Sequence, residues 1–484
     1  MSDVGSSNGT YLEDRRLTAN VEHEIKHNQR IVIGRFVIRA ALQTSQTERA
    51  ESKVKGPVDN EEFTLRAKIH VQLIDRLDLR RKDILKLTDF ELRAKTAEMV
   101  ERILDEMRWE IPAGLDRALL IKHVLDEALG LGPLEELLAD EKVSEIMVNS
   151  YDRIFAERGG RLALTPLRFS SEATVLSAIE RIISPIGRRI DESSPLVDAR
   201  LKDGSRVNAV IRPLALKGPC ITIRKFAKTP LTIDHLVNFG SMSRGMADFL
   251  SLVVTQRLNV VISGGTGSGK TTLLNVLARF IPEGERVITV EDAAELQLGR
   301  EHIVSFETRP PNLEGKGAIA IRDLVRNALR MRPDRIVVGE CRGAEALDML
   351  QAMNTGHDGS MTTGHANSPV DMISRLETMV LMAGMDLPVR AIREQISSAV
   401  HVIVQQSRLG CGSRKVTAIA EIVGLDPDDG RIQLQDIFVF RQDGFDDQGK
   451  TRGKHQATGY VPKFFRRMQQ EGKQLDGSIF APDA

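Results

Sequence analysis

The sequence predicts an α/β protein whose largest domain, residues 233–484, contains a parallel sheet. Short apolar runs rich in β-branched residues alternate there with helical patterns, and this alternation is typical of parallel sheets. One such run, Asn259–Ser263, leads into the glycine-rich segment Gly264–Thr271, and an apolar pattern with helical spacing follows over Thr272–Phe280. Strand, glycine-rich turn and helix in this order are the context of a phosphate-binding loop.

The glycine-rich segment reads Gly-Gly-Thr-Gly-Ser-Gly-Lys-Thr, which is the spacing of a loop that binds nucleotide phosphates. Glycines let the backbone wrap around phosphates, and the N–H groups that start a helix attract anions. Lys270 is therefore predicted to reach the β- and γ-phosphates of ATP, and the Thr271 hydroxyl to bind Mg²⁺. An ordinary glycine turn before a core helix is the alternative. The predicted nucleotide-binding residues are Gly264, Gly265, Thr266, Gly267, Ser268, Gly269, Lys270, Thr271 and Thr272.

Residues 1–40 differ in character from the rest of the chain. The segment Ser6–Tyr11 is rich in turn residues, and Arg30–Ile38 predicts two strands around Gly34. This stretch resembles the second half of a forkhead-associated domain, a β-sandwich family that binds phosphothreonine. The arginine and serine that hold the phosphate in that family have no counterpart here, and half a sandwich leaves an open core. We expect a vestige that does not bind phosphopeptides, or a start codon placed too far downstream.

Three segments separate this stretch from the parallel sheet. Residues 41–60 are polar and predict a linker, and residues 61–138 have the apolar spacing of three or four helices. Residues 139–232 predict an α+β domain with an antiparallel meander, a helix over Ser171–Ile183, a hairpin that turns at Asp203-Gly204, and one further strand. The strands of this domain are unusually rich in arginine.

The 233–484 domain contains four more predicted strands and a polar C-terminal extension. The strands are Arg286–Val290, Arg335–Gly339, Ser360–Thr363 and Val402–Val404. From about residue 425 the chain is polar, and we expect short strands there and a helix near Phe464–Gln470.

Two of these strands end in carboxylates, which nucleotide hydrolysis requires. Parallel strands present their carboxyl ends at one edge of a sheet, so these acids are expected beside the glycine-rich loop. Glu340 follows Arg335–Gly339 in the Walker B arrangement and is predicted to hold Mg²⁺ through water. Glu291 follows Val287–Val290 and is the candidate for polarising the attacking water. A solvated acid at a strand end is the alternative for both.

A histidine forms a third feature of the predicted site. His365 follows a threonine-rich strand and lies in the segment Met361–Asn367. We interpret it as a sensor of the γ-phosphate. A histidine that is structural, or simply exposed, is the alternative.

Composition excludes several classes of function. Among 484 residues, Lys plus Arg and Asp plus Glu both number 67, which argues against a dominant non-specific role in nucleic-acid binding. Cys220, Cys341 and Cys411 are isolated in the sequence, which favours a reducing cytosol over a disulfide framework or a cysteine metal site. The sequence has neither an apolar run of transmembrane length nor a signal-peptide pattern, so membrane association is expected to be peripheral, through a partner.

The motifs together resemble those of the bacterial secretion ATPases of type II and type IV systems. Gly264–Thr271, Ile288–Asp292, Val337–Glu340 and Met361–Asn367 match the Walker A, Asp box, Walker B and His box of that family, in this order. The resemblance covers roughly residues 60–484. It implies a RecA-like P-loop NTPase core, a preceding α+β (PAS-like) domain, a homohexameric ring, and ATP and Mg²⁺ as cofactors.

Within that family the sequence is similar to the CpaF group, which powers assembly of Tad (Flp) pili. The similar stretches are Asp198–Leu201, Asp203–Val210, Ile221–Phe226 and Arg326–Arg335. This resemblance implies a cytoplasmic protein held at the inner membrane by a platform protein, with pilin as its indirect substrate and no direct contact with nucleic acid. The tetracysteine zinc motif of one pilus-motor subgroup is absent from the sequence, which disfavours that subgroup.

The resemblance to this family implies a role for arginines of the α+β domain. In the family, arginines of this domain reach the triphosphate and stabilise charge in the transition state, and Arg200, Arg206 and Arg224 occupy matching positions. The length of the hairpin loop leaves open whether Arg200 and Arg206 share a face of the sheet, since an even-numbered loop would separate them. Surface salt bridges are the alternative.

Three other functions remain open at the level of sequence. The nearest is the ATPase of a type IV secretion system that exports protein or DNA. An ATP-regulated adaptor would bind ATP without appreciable turnover, so a turnover measurement separates it from a motor. A helicase is the weakest alternative, because zero net charge and 4% aromatic residues give it little support.

Overall fold

The N-terminal strands form a small sheet of their own. The computed structural model describes residues 10–12, 15–18, 30–33, 36–39, 58–78, 88–112, 114–226, 231–311, 316–446, 451–473 and 475–482. Strands β1 (Thr10–Leu12), β2 (Arg15–Arg16), β3 (Arg30–Ile33) and β4 (Phe36–Arg39) pair antiparallel in the order β2-β1-β3-β4. The predicted strand pair around Gly34 is confirmed by β3 and β4. Ser6–Gly9 and residues 40–57 lie outside the described residues.

Within the described parts of residues 58–139, four helices follow, as the apolar spacing predicts. They are α1 (Val58–Asp78), α2 (Asp89–Glu106), α3 (Arg117–Leu129) and α4 (Leu134–Ala139). Helix α2 begins with a capping box between Thr88 and Glu91, and Asp116 caps α3, so each satisfies N–H groups that the helix leaves free. Helix α1 begins at Val58, inside the predicted linker.

A buried glutamate fastens these helices to the α+β domain. Glu127 of α3 is 1% exposed and accepts hydrogen bonds from the backbone N–H and the hydroxyl of Ser170. Arg66 of α1 lies 3.5 Å from the same carboxylate, and Arg181 donates to the carbonyl of Glu127. Because a buried carboxylate requires such partners, the contacts hold the two units in one arrangement.

The α+β domain is a six-stranded antiparallel sheet whose apolar face packs against α4 and against a helix of its own. Its strands lie in the order β7-β6-β5-β10-β9-β8, and the predicted meander and hairpin are both confirmed. Buried residues of α5 pack against alternate buried positions of the strands. The elements are β5 (Val143–Ser150), β6 (Arg153–Arg158), β7 (Arg161–Leu164), α5 (Glu172–Ile183), β8 (Leu196–Arg200), β9 (Arg206–Val210) and β10 (Cys220–Arg224).

The core domain is a nine-stranded sheet covered by helices on both faces. The strand order is β13-β12-β14-β15-β11-β16-β17-β18-β19, and the first six strands are parallel. Helices α6, α7, α8 and α13 cover one face, and α9 to α12 cover the other. The strands are β11 (Val260–Gly264), β12 (Val287–Glu291), β13 (Ile303–Glu307), β14 (Arg335–Val338), β15 (Met361–Gly364), β16 (Val402–Arg408), β17 (Arg414–Leu425), β18 (Ile432–Phe445) and β19 (Thr451–Ala457). The helices are α6 (Ile233–Asn238), α7 (Arg244–Thr255), α8 (Lys270–Ala278), α9 (Ile321–Ala328), α10 (Glu345–Asn354), α11 (Pro369–Leu381), α12 (Val389–Ala399) and α13 (Lys463–Gln470).

The prediction of short strands in the C-terminal extension was wrong. Strand β18 has 14 residues, and β17, β18 and β19 continue the core sheet through antiparallel pairing. Polar residues alternate with apolar ones there because part of each strand faces solvent, and such alternation conceals a long strand. The predicted helix near Phe464–Gln470 is confirmed as α13.

The order of the parallel strands gathers the sequence motifs. Strands β12, β14, β15 and β11 are neighbours, so the Asp box, Walker B, His box and Walker A segments all leave the sheet at one edge. Among the residues that the structure describes, no helix has the length and apolar character needed to cross a membrane.

Candidate nucleotide-binding site

The glycine-rich loop has the geometry of a phosphate cradle. Gly267 and Gly269 have φ values of +70° and +99°, a region that side chains disfavour. A Cβ on Gly264 would collide with the backbone oxygen of Gln406 and lie 2.6 Å from the Ser268 hydroxyl. Helix α8 starts at Lys270 directly after the loop, and its N-terminus adds partial positive charge. These residues therefore fit nucleotide phosphates.

Lys270 closes the loop on itself. Its Nζ donates to the Gly265 carbonyl at 3.0 Å and lies 3.4 Å from His365 Nδ1. Burial lowers the pKa of Lys270, although the Glu340 carboxylate opposes this shift. The ammonium group thus lies where a phosphate is predicted, and among the described residues its direct hydrogen-bond partners are a carbonyl and an imidazole.

Glu340 is the centre of a network at the end of β14. Its carboxylate lies 2.8 Å from His365 Nε2 and 2.8 Å from an Arg342 guanidinium nitrogen. Burial raises the pKa of Glu340, but the hydrogen bond and charge of Arg342 and the nearby His365 and Lys270 outweigh it, so the net pKa is lowered. Burial and then the charge of Lys270 lower the pKa of His365. A neutral His365 can accept a hydrogen bond from Lys270 through Nδ1, while its Nε2 lies close to a buried Glu340 oxygen that has no hydrogen-bond partner among the described residues.

Glu291 lies behind this network and does not line the cleft. It is 3% exposed, and its carboxylate accepts hydrogen bonds from the backbone N–H groups of Glu295 and Leu296 at 2.9 and 3.2 Å. Burial raises its pKa to about 7, against the lowering effect of those hydrogen bonds. A Cβ on Gly339 would lie 2.9 Å from Glu291 Cγ, so the two neighbouring strands require a glycine there.

The three predicted arginines share one face of the α+β sheet. Arg200 is paired with Arg206, and Arg206 with Arg224, directly across adjacent strands. Residues directly opposite each other project to the same face, which answers the question that loop length left open. Arg206 lies 2.9 Å from the Glu295 carboxylate and Arg224 3.9 Å from it, whereas Arg200 pairs with Glu307 at 2.8 Å.

A cleft of about 480 Å³ separates the glycine-rich loop from this arginine-bearing sheet. Ten of the predicted site residues line it: Arg206, Arg224, Thr266, Gly267, Gly269, Lys270, Thr271, Thr272, Glu340 and His365. Five do not: Arg200, Gly264, Gly265, Ser268 and Glu291. Lining residues without a predicted role are Gly204, Lys225, Phe226, Leu231, Asn275, Glu295, Gln297 and Arg342.

Three of these additional residues are charged, namely Lys225, Glu295 and Arg342, and Lys225 donates to the backbone carbonyls of Leu137 and Asp140. Glu295 and Arg342 lie close in sequence to Glu291 and Glu340, respectively. That closeness is the only sequence signal for either residue. Each also has a partner from another segment, since Glu295 contacts the α+β domain and Arg342, besides its contact with Glu340, lies 3.5 Å from Asp292.

Thr271 and Glu340 are suited to a metal ion that arrives with a nucleotide. Both line the cleft, and a hydroxyl and a carboxylate are ligands that Mg²⁺ accepts. Within the described part of the chain, no group of three or more histidine, cysteine, aspartate or glutamate side chains is arranged to hold a metal. Mg²⁺ commonly keeps several waters and binds through one or two protein groups plus substrate phosphates, and the residues present fit that mode.

The β16–β17 hairpin supports the glycine-rich loop from outside the cleft. Arg414 donates to the Gly267 carbonyl at 2.9 Å, and its cross-strand partner Arg408 donates to the Gly160 carbonyl of the α+β domain at 2.9 Å. The hairpin thus contacts both sides of the cleft, a role that no sequence motif indicates.

We expect Arg414→Ala to weaken nucleotide binding by about fivefold, because an exposed charge-assisted contact contributes up to about 1 kcal/mol. Titration of a fluorescent ATP analogue measures the change in Kd. Arg431→Ala is the matched control, since this exposed arginine pairs with Asp429. An unchanged Kd in Arg414→Ala would show that the loop holds its shape without the hairpin.

A parallel sheet, a phosphate cradle at its carboxyl edge and two acids beside it define the class of this protein as a P-loop ATPase. Residues 127–456 match the family model described as "Type II/IV secretion system protein". The match covers more than half of the chain, and the chain belongs to this family.

Curated relatives of the chain include proteins of conjugal transfer and of type IV secretion. A putative conjugal transfer protein of Mycobacterium tuberculosis is 38% identical over 318 residues, which are 64% of this chain and 89% of the relative. VirB11 of Bartonella henselae, a type IV secretion system protein, is 30% identical over 328 residues, or 60% and 91% of the two chains. The crystal structure of the VirB11 ATPase from Brucella suis with sulphate is 28% identical, covers 60% and 95% of the two chains, and has a TM-score of 0.33.

Proposed function

We propose that this protein is a ring-forming, Mg²⁺-dependent ATPase whose cleft closes on ATP and whose turnover drives transport at the inner membrane. The observation that carries the proposal is the convergence of Lys270, Glu340 and His365 on one cleft that faces Arg206 and Arg224. Charged groups aimed at a phosphoryl group from both walls of a cleft are the arrangement that phosphoryl transfer requires.

Each side chain has a role in this proposal. Lys270 binds the β- and γ-phosphates, and Thr271 and Glu340 hold Mg²⁺, which neutralises charge on the phosphates when bound. His365 senses the γ-phosphate, and Glu291 polarises the attacking water. Arg206, Arg224 and Arg200 approach from the α+β domain, so hydrolysis would open and close the hinge between the domains.

For the transport system we propose assembly of a Tad (Flp) pilus, with pilin as the indirect substrate. The stretches similar to the CpaF group favour it, and a forkhead-associated remnant at residues 1–40 is part of the same proposal. Protein or DNA export by a type IV secretion system is the second candidate, which the conjugal transfer and VirB11 relatives favour. In either system we propose a cytoplasmic homohexamer docked on a platform protein, without direct contact with nucleic acid.

The test is ATPase activity across a protein concentration series, with light-scattering mass measured on the same samples. We expect activity per subunit to rise as a species of about six subunits forms, and Glu340→Gln to keep that mass but lose turnover. Constant activity per subunit, or tight ATP binding without turnover, would contradict the ring motor and favour an ATP-regulated adaptor.

A further inference from the structure

We propose that Glu295 is a built-in competitor of the triphosphate, which occupies Arg206 and Arg224 in the resting enzyme and is displaced when ATP binds. This inference rests on the proposed ATP hydrolysis and adds a resting state to it. Glu295 is a positioning residue here, because it acts through the arginines and through Glu291.

The contacts of Glu295 bridge the cleft. Its carboxylate lines the cleft, lies 2.9 Å from Arg206 and 3.9 Å from Arg224, and its side chain is 25% exposed. Glu295 belongs to the segment after β12 of the core domain, whereas both arginines lie on the α+β sheet. The ion pairs therefore hold the two walls of the cleft together.

A phosphate group competes for the same guanidinium groups. Arginine binds carboxylate and phosphate oxygens in the same bidentate geometry. A half-exposed arginine–carboxylate pair contributes only up to about 1 kcal/mol, so a multiply charged triphosphate can replace it. In this exchange, Arg206 and Arg224 would leave the carboxylate of Glu295 and bind the phosphates of the ligand.

The backbone of Glu295 links this exchange to Glu291. The N–H groups of Glu295 and Leu296 hold the Glu291 carboxylate in its buried position, outside the lining of the cleft. When the Glu295 side chain loses the arginines, the segment that carries these N–H groups loses its anchor on the α+β domain. Glu291 is then released toward the cleft only after the triphosphate has bound.

The test compares binding of a non-hydrolysable ATP analogue and of ADP to wild type and Glu295→Gln. We expect the variant to bind the analogue about fivefold more tightly, the equivalent of the lost ion pair, with a smaller change for ADP. In steady-state assays its KM for ATP should fall by a larger factor than any change in its kcat. Glu172→Gln is the matched control, because it removes a glutamate that pairs with another arginine of the α+β domain, and this pair lies outside the cleft.

A double-mutant cycle separates competition for the arginines from general charge repulsion. Competition predicts that Glu295→Gln gains little analogue affinity when Arg206→Ala is already present. The proposal would be overturned if Glu295→Gln gained the same analogue affinity with and without Arg206→Ala, or gained as much affinity for ADP as for the analogue. It would also be overturned by a kcat loss of 100-fold or more, which is about 2.7 kcal/mol or more. Wild type that binds no ATP analogue would instead contradict the proposed function itself.

Discussion

A protein with Glu291→Gln is expected to bind ATP normally and to hydrolyse it about 10²- to 10⁴-fold more slowly, the usual contribution of a general base. The amide oxygen of glutamine can still accept the N–H groups of Glu295 and Leu296 that hold the carboxylate. The loop that contains them should therefore remain in place. Single-turnover hydrolysis and analogue titration separate the lost chemical step from unchanged binding.

The pH dependence of the same variant provides a second measurement. Because burial raises the pKa of Glu291 to about 7, wild-type activity should rise as the pH increases through about 7, and the variant should lack this rise. The folded protein binds the proton of Glu291 more tightly than the unfolded chain does. Protonation of Glu291 therefore stabilises the fold fully below the ordinary carboxyl pKa of 4.5, and this stabilisation is lost as the pH rises through about 7. At about pH 8.5 the variant should consequently melt about 5 °C above wild type, and the difference should disappear at low pH.

Glu421→Gln is the control for removal of a buried carboxylate. Glu421 is 5% exposed, accepts hydrogen bonds from Tyr460 and Lys463, and does not line the cleft. The turnover of the Glu421→Gln variant should match that of wild type. If Glu291→Gln retained turnover within about threefold, Glu291 would be a structural residue and the water would need another base.

Lys270→Ala is expected to remove at least about half of the stabilisation that ATP gives to wild type. A hydrogen bond from a charged donor contributes about 1.5–3 kcal/mol, so the Kd for ATP should rise by about 10- to 150-fold and turnover should fall at least as much. Thermal unfolding with and without ATP measures this directly. Wild type gains about 2.7 kcal/mol at a ligand concentration of about 100 times its Kd, and at that same concentration the variant should gain only about 0.3–1.4 kcal/mol.

The unliganded variant should fold as well as wild type. Burial lowers the pKa of Lys270, which means that the folded protein disfavours this charge, and alanine removes the cost. Lys142→Ala removes an exposed positive charge of the α+β domain and should leave the ATP-dependent shift intact. An ATP-induced shift of wild-type size in Lys270→Ala would show that the loop backbone alone binds the phosphates.

Local sequence patterns predicted much of the fold. The spacing of apolar residues located the helices of the N-terminal region and the parallel strands of the core, because burial of one face imposes a period on the sequence. The glycine-rich segment predicted its own backbone shape, since Gly267 and Gly269 adopt positive φ values. Strand β13 was not predicted because it lies at the edge of the sheet with a half-exposed face. The length of β18 was missed for a related reason.

In the candidate site too, some features follow from local sequence and others depend on the tertiary structure. The sequence by itself determined the phosphate-binding loop and the acids and histidine at strand ends, because each is a short motif whose chemistry depends on neighbours within a few residues. Only the tertiary structure decided that Arg206 and Arg224 face the loop, that Glu295 holds them, that Arg414 supports Gly267, and that Glu291 is buried behind the cleft. Those contacts join segments up to 147 residues apart, and their partners depend on how two domains pack. A local sequence pattern contains no information about that packing. Which charged groups form pairs is decided only when folding brings them within a few ångströms of each other.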